Sequence, residues 1–432
     1  MAKVVVAMSP KESLRLPTGQ AGGIGEKKKI VVAMSGGLDS SVAAALLKRA
    51  GFAVIGVFMK LADLPRFREA EKRAKKVAKI LGIPFLSLDL RKEFKKKIID
   101  SFLDGYKKGL TPNPCVVCNK EIKFGLLLEK ALALDADFIA TGHYAKKQKI
   151  ENRKQKIEYK LLKAKDKNKD QSYFLWMLNQ KQLKRTLFPI GDYTRKEVEN
   201  LARKFKLPVL KAKKSVEICF VKTTINPHTK DKQLKNYGKF PLNFGVGVND
   251  FLTRYLKQKP GPVVEQVHYG VNQIIGKHNG LWFYTIGQRK GIGLPSGPYY
   301  VLDKDLKTTT HPPPSRPKGG PLNLLIVTKN EKDLLKKELI CKNVNWISGK
   351  EPKLPLKIKA KIRYRHLASP ATIYHPEGKP SASYGAGLKS NIYHLKSNIY
   401  HLNFEMPQRA ITPGQSVVFF KGQELLGGGI IC

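Results

Sequence analysis

The 432-residue sequence predicts an α/β protein: an amino-terminal domain on a parallel sheet, a small central domain and a carboxy-terminal β-barrel. Three observations carry this. From residue 29 to about 221, apolar strand-like runs alternate with helix-like stretches. The first run, 30–34, leads into the loop Ser35-Gly36-Gly37-Leu38-Asp39-Ser40-Ser41 and then into a helix-like stretch, 42–50. Beyond residue 321, short apolar runs recur between turn residues, as in small barrels. The expected division is an extension over 1–28, the α/β domain over 29–222, the central domain over 223–305 and the barrel, with loop insertions, over 306–432.

Residues 3–9 nearly repeat 30–35, with a polar, Gly- and Lys-rich stretch between them. This reads as an insertion that split or duplicated the first strand. The first copy lacks the Gly-Gly-x-Asp that follows at Gly36, so only the second can form the loop. Residues 52–59 are apolar and β-branched, a buried strand, and 65–81 have helical spacing. Residues 84–88 form a short strand and 124–134 are helix-like. Phe138-Ile139-Ala140 is a strand ending at Thr141-Gly142-His143. Strands separated by helices pair in parallel, and ligands collect at their carboxyl ends, where the Ser35 loop and the Thr141 turn both fall. After about 221 the texture changes. Residues 223–247 are polar and Lys-rich, 291–298 Gly/Pro-rich, and 311–321 a proline cluster read as linker or insertion. The runs at 322–328, 339–346, 356–364 and 416–420 are assigned to the barrel. Residues 388–394 recur at 395–401, too few copies for a coiled coil and read as a surface-loop insertion.

The net charge is +46, from 80 basic and 34 acidic residues. Such an excess attracts polyanions and points towards nucleic acid. Only 16 of the 80 are arginine, however, and lysine enrichment also suits a solvated surface. Five cysteines, Cys115, Cys118, Cys219, Cys341 and Cys432, are too few and odd in number for a secreted disulfide scaffold. Residues 1–10 lack a signal-peptide core, and no apolar run reaches the ~18 residues that span a bilayer. A reducing, cytoplasmic setting without a membrane partner is expected.

A strand, a glycine-containing loop and a helix start form an anion cradle, because backbone N–H groups and the helix dipole converge there. The P-loop and dinucleotide glycine patterns are absent. Ser-Gly-Gly-x-Asp-Ser-Ser resembles instead the PP-loop of ATP pyrophosphatases, which implies an adenine-nucleotide α-hydrolase-like fold and ATP cleavage at the α-phosphate. Asp39 beside a polyphosphate suits Mg²⁺ binding, and it equally suits a cap on the helix at Ser40; both roles can coexist. Residues 111–120, Thr-Pro-Asn-Pro-Cys-Val-Val-Cys-Asn-Lys, deliver a C-x-x-C at a helix start. There the helix terminus, Lys120 and Lys123 should lower a thiol pKa. Cys219, within the run 215–220, sits among apolar residues as if ending a buried strand. In isolation it would be an inert core thiol; beside a phosphate loop and Cys118 it becomes a second reactive thiol.

The Ser35 loop, residues 111–123, 140–145, 169–175, 217–220, 284–291 and 412–415 occur in one order. Together they resemble the bacterial tRNA-specific 2-thiouridylase family, from about Lys29 to Ile431 with interruptions. The resemblance implies ATP- and Mg²⁺-dependent adenylation of the 2-oxygen of a tRNA wobble uridine. Sulfur from a cysteine persulfide then replaces that oxygen, releasing AMP and pyrophosphate. It implies ATP binding by Ala33, Met34, Ser35, Gly36, Gly37, Leu38, Asp39, Ser40, Ser41 and Val42, with Met59 and Gly142 on the adenosine side. Cys118 matches the nucleophile and Cys219 the persulfide carrier, joined by Cys115 and Asp39 in the catalytic set. Asn113, Pro114 and Cys115 match contacts to the target base. Lys169, Asp170, Gln171, Arg363 and Tyr364 match tRNA-contacting segments, and His143 and Gln415 match tRNA-recognition positions. The implied partners are tRNA and a persulfide-donating sulfur-relay protein, with a monomer favoured.

Cys115 stands where many members of that family carry aspartate. Three thiols, Cys115, Cys118 and Cys219, could then hold an iron–sulfur cluster. A single C-x-x-C pair is not a zinc ribbon, and no other metal site is expected. Residues 60–68 are shorter and less acidic than the family's stretch. Two further readings compete. A PP-loop enzyme with another acceptor, as in argininosuccinate or GMP synthesis, needs no paired cysteines. A non-catalytic RNA-binding protein with a decayed loop does not require the intact Ser35 loop or the three cysteines.

Overall fold

The computed structural model describes residues 27–151, 155, 157–210, 218–221, 247–266, 273–305, 323–375 and 398–432. The duplicated first strand, the polar stretch from 223, the proline cluster and most of the tandem repeat lie outside the described residues.

The amino-terminal strands are β1 (Lys29–Ala33), β2 (Ala53–Lys60), β3 (Phe85–Asp89), β4 (Phe138–Ala140), the hairpin β5 (Lys146–Glu151) and β6 (Ile157–Leu162), and β7 (Thr186–Leu187). Five of them form one parallel sheet in the order β3-β2-β1-β4-β7. The helices are α1 (Leu38–Arg49), α2 (Pro65–Leu81), α3 over 91–107, α4 over 114–132, α5 (Gln180–Lys184) and α6 (Arg195–Lys204). Burial explains the pattern. β1 is a continuous apolar run, as a strand covered on both faces must be. The Ala-rich α1 buries every residue from Val42 to Leu47, whereas α2 is amphipathic and buries only Ala74, Val77 and Ala78. Pro65 starts α2, and Gly82, in a left-handed conformation (φ 59°), ends it. The order of chain elements reverses between β1 and β4, and the Ser35 loop leaves the sheet at that point.

The central domain contains α7 (Val248–Thr253) and the strands β8 (Gly261–Glu265), β9 (Gln273–His278), β10 (Tyr300–Asp305) and β11 (Leu324–Thr328), ordered β10-β11-β8-β9. β11 corrects the sequence reading. Its apolar run was assigned to the barrel, but it pairs with β8 and β10. All five of its residues are buried, which suits the middle of a covered sheet.

The last six strands are β12 (Leu335–Trp346), β13 (Leu356–Lys361), β14 (Ser369–Tyr374), β15 (Ile399–Arg409), β16 (Ser416–Lys421) and β17 (Glu424–Ile431). They run β12-β15-β14-β13-β16-β17, and β12 also pairs with β17, so the barrel closes. Ile373, Leu402, Val417 and Phe419 fill its interior. β17 carries one more neighbour: its Leu425 pairs with Leu161 of the amino-terminal hairpin. The barrel is thereby stitched to the α/β domain. That hairpin, rich in lysine, has no apolar run to announce it.

Candidate active site

α1 leaves its first turn open. Gly37 precedes it in extended backbone and offers no side-chain acceptor. The first N–H groups of a helix have no partner inside it and can meet an anion. Ser41 Oγ donates to Gly37 O at 2.8 Å, and Ser40 Oγ accepts the Ser35 N–H at 3.1 Å. Gly36 has φ +70°, and a Cβ there would fall 2.1 Å from Ala70 O. Gly142, from the β4 turn, presses on the same loop: its Cβ would lie 2.5 Å from Ser40 N. Ala33, Met34, Leu38 and Val42 point their side chains into the core, so only their backbone can serve a nucleotide. Ser35 is exposed, and Met59 is half-buried at the carboxyl end of β2.

Asp39 does not cap α1. Its Oδ1 accepts from Tyr144 Oη at 3.0 Å and from Arg195 Nη1 at 2.9 Å. Burial raises its pKa, while Arg195, Tyr144 and Lys169 pull it down. Arg195 opens α6, whose start is fixed by a reciprocal Thr194–Glu197 capping box, and its Nε also donates to Glu199 at 2.8 Å. Sequence reasoning missed Arg195, because its partner Asp39 lies 156 residues away.

The segment 169–171 serves this same loop. Gln171 Oε1 accepts the Tyr144 N–H at 3.0 Å, and the Gln171 N–H donates to Tyr144 O at 2.8 Å. Lys169 acts electrostatically on Asp39 and Glu199. Asp170 is buried and accepts from Ala164 N at 3.0 Å and Ser172 Oγ at 2.8 Å. His143 is buried too, with Nδ1 2.8 Å from Thr141 Oγ1 and its ring among Phe124 and Phe188. Burial drives its pKa well down, so the ring is neutral. Asp170 and His143, expected to meet tRNA, are buried and hold turns around the phosphate loop.

The second half of the site is a cysteine centre. Pro114, at the first position of α4, and Asn113 before it start the helix that carries Cys115 and Cys118. After Cys118 the helix widens into a π turn, Asn119–Leu126, a distortion often found at functional sites. Cys118 is buried, and burial pushes its thiol up to about 11 against the opposing pull of Lys123. This reverses the expected depression. The thiol lies one turn inside the helix, and desolvation outweighs the lysine. Lys120 is exposed and sits 3.8 Å from Glu121.

Cys219 lies in a turn rather than at a strand end. Cys118 and Cys115 are both among its electrostatic neighbours, so the fold does bring the three cysteines together. Burial, first, and these neighbours push the Cys219 thiol up to about 12, while Lys123 and Arg66 oppose. Arg66 pins the turn: Nη2 donates to Cys219 O, and Nη1 donates to Val221 O at 3.2 Å. Phe220, next in the chain, packs edge-on against Phe94 and Phe102. Neither Cys118 nor Cys219 is in a disulfide. Among the described residues, no three His, Cys, Asp or Glu side chains are placed to hold a metal ion. Burial keeps the Cys118 and Cys219 thiols protonated.

The remaining expected residues lie at joints between domains. Asn113 hydrogen-bonds the side chain of Tyr173, whose Oη donates to Ser416 O at 2.9 Å in the barrel. Arg363 Nη2 reaches Ile286 O (3.2 Å), Ala410 O (3.1 Å) and Thr412 Oγ1 (2.7 Å), so this nitrogen is spent on protein acceptors. Tyr364 packs on Phe174 with ring centroids 4.5 Å apart. Gln415 Nε2 donates to Thr111 O at 2.6 Å.

Comparison with known proteins follows the same three-part layout. Residues 28–223 match the family model described as tRNA methyl transferase HUP domain. Residues 249–310 match the tRNA methyl transferase PRC-barrel domain, and 384–431 the aminomethyltransferase β-barrel domain. The tRNA-specific 2-thiouridylase MnmA of Clostridium perfringens is 38% identical over 418 residues, covering 94% of this chain and 98% of that protein. MnmA 1 of Caldanaerobacter subterraneus subsp. tengcongensis is 42% identical, over 93% of this chain and 97% of its own. MnmA of Clostridioides difficile is 40% identical, over 94% and 98%. Among the described residues, no helix is long and apolar enough to cross a membrane.

Proposed function

Because this chain belongs to the tRNA-specific 2-thiouridylase family, we infer that it replaces the 2-oxygen of a tRNA wobble uridine with sulfur at the expense of ATP. The observation that carries the reading is the meeting of Cys115, Cys118 and Cys219 in one fold with an open phosphate loop.

The chemistry divides between the two halves. The uridine 2-oxygen is a poor leaving group, and its attack on the α-phosphate of ATP makes it part of AMP and releases pyrophosphate. The Ser35–Ser41 loop and the open first turn of α1 supply donors for the phosphates. Mg²⁺ offsets phosphate charge when bound, and Asp39 is the carboxylate at the loop suited to hold it, in exchange for Arg195. Arg195 and Lys169 keep a positive field there. Met59 and Gly142 stand on the adenosine side. We assign Cys219 as persulfide carrier. Its outer sulfur attacks C2 and AMP leaves. Cys118 then attacks the inner sulfur, closing a Cys118–Cys219 disulfide and leaving the outer sulfur on the base. A thiol reductant must reopen that disulfide, and a sulfur-relay protein must reload Cys219. Asn113, Pro114 and Cys115 border the target base, which has to leave the anticodon stack to reach them. Lys169, Gln171 and Tyr364 remain candidates for the tRNA face, and the α/β unit over 29–222 is the part that carries the chemistry.

Nucleoside analysis of tRNA incubated with ATP, Mg²⁺ and a sulfur donor tests this. Wild type should yield 2-thiouridine. Cys118→Ser should bind ATP and tRNA normally and yield none. Undiminished product from that variant would remove Cys118 from the mechanism.

A further inference from the structure

One helix touches both halves of the site. In α2, Arg66, Ala70 and Arg73 follow one another at steps of four and three, so they share one face. The first turn of that face holds the Cys219 turn. Arg66 Nη2 donates to Cys219 O, and its Nη1 donates to Val221 O at 3.2 Å. The later turns hold the phosphate loop. Arg73 Nε donates to Gly36 O at 3.1 Å, and Ala70 O lies where a Cβ on Gly36 would meet it at 2.1 Å. Phe67, beside Arg66, packs against two cores at once: the one that contains Leu38 and Val42, and the one that contains Cys118 and Val221.

The guanidinium suits this task. Its planar fork holds two acceptors in fixed directions, whereas an ammonium meets them as a point charge. The two carbonyls bracket Phe220, so the fork sets the orientation of the turn as well as its distance from the helix. Arg66 is half-buried, and hydrogen bonds from a charged donor strengthen where water is partly excluded. It lies in the stretch 60–68, which is shorter and less acidic here than in the family.

We propose that α2 ties the Cys219 turn to the phosphate loop, with Arg66 as the positioning residue that sets Cys219 through the carbonyls on either side of Phe220. Nucleotide at the Ser35 loop then acts on Cys219 through a single helix. The proposal deepens the thiolation reading and rests on it only for its kinetic readout.

Iodoacetamide labelling of Cys219 tests it, with the exposed Cys432 of the barrel as internal control. Wild type, Arg66→Met and Arg66→Lys are compared with and without Mg²⁺ and α,β-methylene-ATP, whose bridging carbon resists cleavage at the α-phosphate. In wild type, nucleotide should change the Cys219 rate about fivefold or more, the low end of ordinary coupling between sites. Arg66→Met should label about tenfold faster at Cys219, the scale of losing a hydrogen bond from a charged group, and should no longer respond to nucleotide. Its Cys432 rate and ATP affinity should stay those of wild type. Its thiolation kcat should fall about 10²-fold, the scale set by small misplacements of reacting groups. Arg66→Lys keeps the charge without the fork and should fall between the two; it gives the answer should Arg66→Met fold poorly. Wild-type Cys219 labelling in both variants would overturn the proposal. So would a wild type indifferent to nucleotide, or a nucleotide response that survives in Arg66→Met. If wild type makes no thiouridine, the functional reading fails, while the labelling comparison still decides on the tie.

Discussion

At the scale of single residues, burial governs this site more than nearby charge does. Cys118 has Lys123 beside it and still has its thiol pushed up to about 11. A raised thiol pKa means less thiolate at neutral pH. Labelling of Cys118 by iodoacetamide should therefore climb with pH up to at least pH 10. A solvent-exposed cysteine would level off above about 8.5. A plateau near that value, read by mass spectrometry of the Cys118 peptide, would show the thiol to be solvated. The residues legible in the sequence were those whose meaning is local. Ser35 to Ser41 and the pair Cys115 and Cys118 announce themselves by type and spacing. Arg195 and Arg66 do not, since each acts on a partner more than 150 residues away. The burial of His143 and Asp170 is likewise visible only in the fold.

At the scale of elements, two strand ends make the nucleotide site by touching. The loop after β1 and the turn after β4 meet where Gly142 lies on the backbone of Ser40. Gly142→Ala should force the two apart, at a cost of about 2 kcal/mol typical of overpacking. The expected result is a lowered Tm and loss of ATP binding by calorimetry. Unaltered ATP affinity would mean that the contact does not shape the site. Strands β1 to β4 and helix α2 were readable because apolar runs and helical spacing record burial directly. The hairpin β5–β6 was not, because its Lys-rich strands gain their partner from β17 rather than from their own pattern. The π turns in α3 and α4 leave no periodicity distinct from an ordinary helix.

At the scale of the whole molecule, the three parts are fastened by a few polar joints as well as by packing. Arg363 binds Ile286 of the central domain and Ala410 and Thr412 of the barrel through one nitrogen. Arg363→Ala should remove all three bonds, leave Ala410 O with only Thr412 Oγ1 as donor, and cost about 3 kcal/mol. Scanning calorimetry should then show a single wild-type transition broadened or split; an unchanged trace would show the joint to be idle. The broad layout was legible in the sequence, as changes of texture along the chain. The membership of β11 was not, because a covered apolar strand reads the same in either sheet. The contact between Gln415 and Thr111 spans 304 residues. That separation bears on synthesis. Domains fold as they emerge, and the α/β unit leaves the ribosome long before the barrel does. Any nascent or prematurely terminated chain that stops short of residue 412 carries the phosphate loop and Cys118 without that contact. The distance between Thr111 and Gln415 in the chain thus makes their contact one of the last to form as the protein is synthesised.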